Sequence, residues 1–163
     1  MSFKNVVYLP MLAFAALLLF SGVSSADDFA GLKEAKVVWN VTTGSEKVFL
    51  DRMDLIQQTA DSLRKRGIKP VFVVVIHGPA AKFVAKDLHG TKFAKDKLPK
   101  LAKAHSSLES LKRKGTHIEV CAIAMKRAKI KHDNVRPYAV IEDNVFENLI
   151  ALQAKGYAYM PVH

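Results

Sequence analysis

The chain has 163 residues, with 25 Lys or Arg against 15 Asp or Glu and a formal net charge of +10. Half of its residues are hydrophobic and it holds one cysteine, which excludes an internal disulfide framework and leaves stability to a packed core. The sequence also lacks a Cys-x-x-Cys pair, a Gly-x-Ser-x-Gly elbow, a Walker phosphate loop and a glycine-rich dinucleotide fingerprint, which argues against the chemistries those motifs carry.

At the N-terminus, Lys4 precedes an apolar stretch of 15 residues, Val6 to Phe20, and then a run of small or weakly polar residues from Ser21 to Ala26. This is the layout of a secretory signal peptide, and Ser24 and Ala26 place the cut after Ala26. An uncleaved anchor would need roughly 20 apolar residues, and Pro10 interrupts this run, so no stable membrane span is expected after cleavage. The mature chain keeps 24 basic and 15 acidic residues, a net +9. In a periplasmic or secreted protein that charge suits anionic metabolites, acidic proteins or an anionic surface rather than nucleic acid. The expected organisation is a signal peptide over residues 1–26, a linker over 27–35 and one α/β domain over 36–163, long enough to bury a core.

Along the domain, apolar and β-branched runs alternate with helical stripes. Lys36 to Val41 and Val71 to Ile76 read as strands, the second apolar throughout and suited to cover on both faces. Between them Phe49, Met53, Ile56, Ala60 and Leu63 form one stripe of a helix from about Glu46 to Arg66, stopped by Gly67. A short helix from Ala80 to Asp87 and a polar loop from Leu88 to Asp96 follow, then a longer helix from Leu98 to Lys114. The lysines between Lys92 and Lys114 alternate with Leu98, Leu101, Leu108 and Leu111, whose spacing turns them toward a core and leaves the lysines on a solvated face. Thr116 to Cys121 is the third strand and Ala122 to about Lys129 a short helix. Tyr138 to Ile141, a helix from about Asp143 to Lys155, and Tyr157 to Val162 complete a βαβαβαβαβ order. That order predicts a parallel five-stranded sheet between helix layers, joined by right-handed crossovers.

Such a sheet collects chemistry at the carboxyl ends of its strands. Cys121 ends the third strand where a helix begins, and helix N-termini stabilise negative charge. Asn40, Thr43 and Gly44 after the first strand, His77 and Gly78 after the second, and Lys126 on the short helix are the crevice-lining candidates. His77 can donate to a thiolate or take its proton if the loops meet. Cys121 and Met125, one helical turn apart, are two soft sulfur ligands of the kind that hold Cu(I). The other histidines show no helical pair spacing for a ligand cluster, and the Asn40-Val41-Thr42 sequon falls on a strand end and is taken as chance.

The strand ending Val75-Ile76-His77-Gly78-Pro79, the later strand carrying Cys121 and the terminal run from Leu149 to Tyr159 together resemble the DsrE/DsrF-like family. The resemblance covers about Lys36 to Val162. It implies a three-layer α/β/α fold with a five-stranded parallel sheet and a homo-oligomer, often a trimer or hexamer. It also implies sulfur relay, in which the cysteine at the position of Cys121 accepts sulfane sulfur as a persulfide and passes it to a partner protein. The expected partners are therefore a second copy of the chain and a sulfur donor or acceptor, either a protein or an anionic sulfur compound, with no cofactor. The competing readings are a non-catalytic oligomeric binding or scaffold protein and a Cu(I)-binding protein.

Overall fold

The computed structural model describes residues 28–163. The expected signal peptide lies outside them. Five strands, β1 (Glu34–Val41), β2 (Lys69–Ile76), β3 (His117–Cys121), β4 (Val140–Glu142) and β5 (Ala158–Val162), alternate with four helices, α1 (Glu46–Lys65), α2 (Leu101–Arg113), α3 (Ala122–Ala128) and α4 (Val145–Ala154). The strands form a single sheet in the order β4-β3-β2-β1-β5, with every pairing parallel.

This order dictates which face each helix covers. From β1 to β4 the chain steps across the sheet in one direction, so right-handed crossovers stack α1, α2 and α3 on one face; the return from β4 to β5 sends α4 to the other. The first face carries the larger core. Phe49, Met53 and Ile56 of α1 and Leu108 and Leu111 of α2 are almost wholly buried there, and the rings of Phe49 and Phe83 stack with centroids 4.1 Å apart. On the second face one ten-residue helix has five strands to cover. Its Phe146 and Ile150 remain 53% and 69% exposed, so neither is fully covered by the sheet.

The element boundaries depart from the periodic pattern where a tertiary partner intervenes. β1 and β2 each start two residues earlier than their apolar runs, because Glu34 pairs with Lys69 in the ladder and their side chains meet at 2.9 Å. The stretch expected as a helix from Ala80 to Asp87 is a 3-10 segment, Gly78–Val84, and ends where Ala85 turns extended and bridges Val135. α2 starts at Leu101 rather than Leu98. Pro99 disfavours helical geometry at the residue before it, and the Lys100 amide donates to Glu46 Oε1 at 2.9 Å instead.

Two buried polar side chains tie the 3-10 segment down. His105 on α2 contacts the Ala85 carbonyl oxygen through Nε2 at 2.9 Å and Arg136 Nη2 through Nδ1 at 2.9 Å. The carbonyl can only accept and the guanidinium can only donate, so the ring is the neutral Nε2–H tautomer. Burial first, and the Arg136 charge second, hold its pKa below the usual histidine range. Lys82, buried in the 3-10 segment, meets Asp96 at 2.5 Å and lies over the Phe93 ring. This pair fixes the polar loop after the 3-10 segment against the carboxyl edge of the sheet.

Candidate functional site

The carboxyl ends of β2 and β3 lie side by side. The last ladder pair is Ile76 with Val120, so the next residues, His77 and Cys121, project from adjacent strands on the same face. Both line a cavity of about 430 Å³, closed by Phe93 from the Asp96-anchored loop, Ile123 and Ala124 from α3, and Phe146 from the first turn of α4. Lys92 and Arg127 supply its positive charge. A larger open hollow of about 610 Å³, between Lys86, Lys129 and Asn134, is lined by charged and polar side chains and lies apart from the thiol.

Cys121 has only 2% of its surface exposed, yet it forms part of the cavity wall. It is therefore sheltered from bulk solvent while facing an opening. The chain enters this arrangement through two glycine positions. Gly78 has φ +56°, a left-handed conformation that costs glycine little and lets the strand turn sharply into the 3-10 segment. At Gly44 a Cβ would stand 2.9 Å from the Pro79 Cβ, so the loop after β1 reaches the loop after β2 only without a side chain there.

His77 is oriented from behind by a relay of hydrogen bonds across three strands. Its Nε2 meets Asn40 Oδ1 at 2.8 Å, and Asn40 Nδ2 donates to the Tyr159 hydroxyl oxygen at 2.7 Å. With the Asn40 amide in this orientation, its oxygen accepts from His77 Nε2–H, leaving Nδ1 as the ring's remaining acceptor. The ring packs edge-on against Phe146, centroids 5.0 Å apart. Burial lowers its pKa from the ordinary histidine value, which favours the neutral imidazole, a proton acceptor.

The candidates named from sequence separate in space. Cys121, His77 and Gly78 share the cavity, while Asn40 stands behind His77 as its hydrogen-bond partner. Thr43 is buried and its Oγ1 accepts from the Ser45 amide, a contact that shapes the turn before α1. Gly44 lies against Pro79, which does line the cavity. Lys126 lines a different hollow with Ile130 and Asp143. Met125 is 1% exposed and packed in the core, and it is not among the residues lining the cavity with Cys121.

Sequence reasoning pairs Arg127 with Lys126 as a source of positive potential near Cys121, and of the two Arg127 lines the cavity; it missed Lys92, Phe93 and Phe146. Phe146 was within reach, because the loop after β4 emerges at the same carboxyl edge as the other three. Phe93 carried a weaker signal, a lone aromatic in a polar loop.

Residues 51–162 match the model of the DsrE/DsrF-like family. An uncharacterised protein of Aquifex aeolicus (strain VF5) is 35% identical over 127 residues, which are 77% of this chain and 55% of the relative. The chain thus spans little more than half the length of that curated relative. Among solved structures, MTH1491 from Methanobacterium thermoautotrophicum, a protein of unknown function, superposes with a TM-score of 0.63 at 12% identity, covering 78% of this chain and 98% of its own. That similarity bears on fold alone, and it agrees with the parallel five-stranded sheet.

The relay behind His77 makes a stability prediction. Asn40→Ala strands a His77 donor and the Tyr159 hydroxyl and should cost about 1–3 kcal/mol, read by urea unfolding, whereas Tyr159→Phe should cost less because Tyr159 is 41% exposed. Equal losses in the two variants would show that Asn40 does not hold His77. The chain belongs to the DsrE/DsrF-like family.

Proposed function

We propose that this protein is an exported persulfide carrier, in which Cys121 takes up sulfane sulfur from an anionic donor and passes it to an acceptor. The observation that carries this reading is the position of Cys121 in the wall of a cavity that also holds His77, Lys92 and Arg127. A thiolate is the nucleophile toward sulfane sulfur, and His77 is the group in the cavity suited to take the thiol proton. Lys92 and Arg127 attract an anionic donor by charge, and the apolar wall of Phe93, Ile123 and Phe146 shelters the product from water.

The transfer balances without a redox partner. With thiosulfate, the Cys121 thiolate attacks the outer sulfur; a new S–S bond forms at Cys121, the donor S–S bond breaks and sulfite leaves with the electron pair. With an organic persulfide the same attack on the terminal sulfur releases the donor thiolate. Delivery to an acceptor thiolate is the reverse exchange.

The family membership supports the reading, and so does the N-terminal segment if it acts as a signal peptide, which places the carrier in the periplasm or outside the cell. Self-association fits the same picture. Phe146 and Ile150, four residues apart on α4 and both exposed, form an apolar strip that starts at the cavity mouth and is suited to a second copy. A non-catalytic scaffold would use this strip and leave Cys121 idle.

Two experiments separate these outcomes. Intact-mass analysis after incubation with polysulfide or thiosulfate should show a gain of about 32 Da, one sulfur on the attacking thiolate, that is absent in Cys121→Ser. No adduct on the folded wild-type protein would remove the carrier reading. In sedimentation, Ile150→Asp should shift the protein to monomer; a monomeric wild type, or an unchanged oligomer in the variant, would contradict association through α4.

A further inference from the structure

On the sheet face beneath α4, three ligand-type side chains converge below the Cys121 cavity. His117 and Glu119 are two residues apart on β3 and so share one face. On β4, Val140 pairs with Glu119 and Glu142 pairs with Cys121, which brings Glu142 onto the same face one step further along. One ligand atom from each of His117, Glu119 and Glu142 lies within 4.8 Å of the others. The convergence follows from strand register as well as from side-chain rotation.

The internal contacts of this cluster leave it incomplete. Glu119 is 5% exposed in a sheet built mainly of Val and Ile, an expensive place for a carboxylate. Its Oε2 accepts from Asn148 of α4 at 3.1 Å and its Oε1 stands 3.3 Å from His117 Nε2. The Glu142 side chain makes no hydrogen bond or ion pair with any described residue, although it stands half-buried beside a second carboxylate. An imidazole alone does not balance two carboxylates, and neither Lys nor Arg contacts either one among the described residues.

The geometry points to a divalent-cation site formed by His117, Glu119 and Glu142, which clips the three-residue edge strand β4 to β3. One imidazole and two carboxylates suit Zn2+ among the first-row ions. Ligand atoms bonded at roughly 2.0–2.2 Å around a tetrahedral ion sit about 3.4 Å apart, close to the 3.3 Å between His117 and Glu119. His117 and Glu142 are both partly exposed, so small rotations of their side chains close the remaining distance. The Asn148 contact holds the buried carboxylate in place, as outer partners of metal ligands do.

Titration calorimetry with ZnCl2 on the purified protein in a Cys121→Ser background tests this apart from the carrier reading. The expected result is one saturable Zn2+ per chain, a higher thermal midpoint with the ion, and affinity lowered more than about tenfold by His117→Ala and by Glu142→Gln, since even outer-shell changes cost that much. Both substitutions fall on partly exposed positions, and circular dichroism checks that each variant is folded. Absence of saturable uptake, or uptake unchanged in the two folded variants, overturns the site.

Discussion

The direction in which the chain crosses its sheet constrains everything else in this molecule. Three successive right-handed crossovers stack α1, α2 and α3 on one face, and one return leaves α4 alone on the other. The first face, covered by three helices, has an interior built mainly of Phe, Met, Ile and Leu, with His105 and Lys82 as buried polar exceptions. The second face cannot be fully covered by ten residues of helix. Asn40, His77, His117, Glu119 and Glu142 all fall on that face by strand alternation, where they can reach each other or an added ligand.

The same topology places Cys121 at the junction of the two layers. β3 delivers the residue to the carboxyl edge, α3 leaves from it toward the first face, and Phe146 of α4 closes over it from the second. A thiol in this position is almost wholly covered by packing and yet forms part of the cavity wall. Lys82 contributes at one remove. Its pairing with Asp96 holds the loop that brings Lys92 and Phe93 to the cavity, and loss of Asp96 would leave a buried ammonium without its partner.

Much of the fold was legible because long apolar runs and helical stripes repeat with clear periods. The stripe from Phe49 to Leu63 buries as its spacing requires, and the wholly apolar Val71 to Ile76 occupies an interior strand. Boundaries were less legible where they depend on partners, as at Glu34 with Lys69 or at Lys100 with Glu46. The cavity was legible only in part. Loop order at a parallel sheet edge brings His77 and Cys121 together, but whether a lysine on α3 or one in a distant loop supplies charge depends on helix rotation and on the Lys82–Asp96 pair. Neither leaves a local signature. The His117, Glu119 and Glu142 cluster was invisible for a related reason, since its spacing exists in the register between two strands and not along either one.

Sulfur transfer requires that a small reagent reach Cys121 in the folded protein although its surface is almost entirely covered. Alkylation of the native protein by iodoacetamide and by a bulky polymer-linked maleimide, followed by mass, measures this directly. Complete modification by the small reagent, with modification by the large one only after unfolding, is the predicted result. If the thiol resists both reagents until the protein unfolds, the cavity does not reach the sulfur and Cys121 cannot carry sulfur in the folded state.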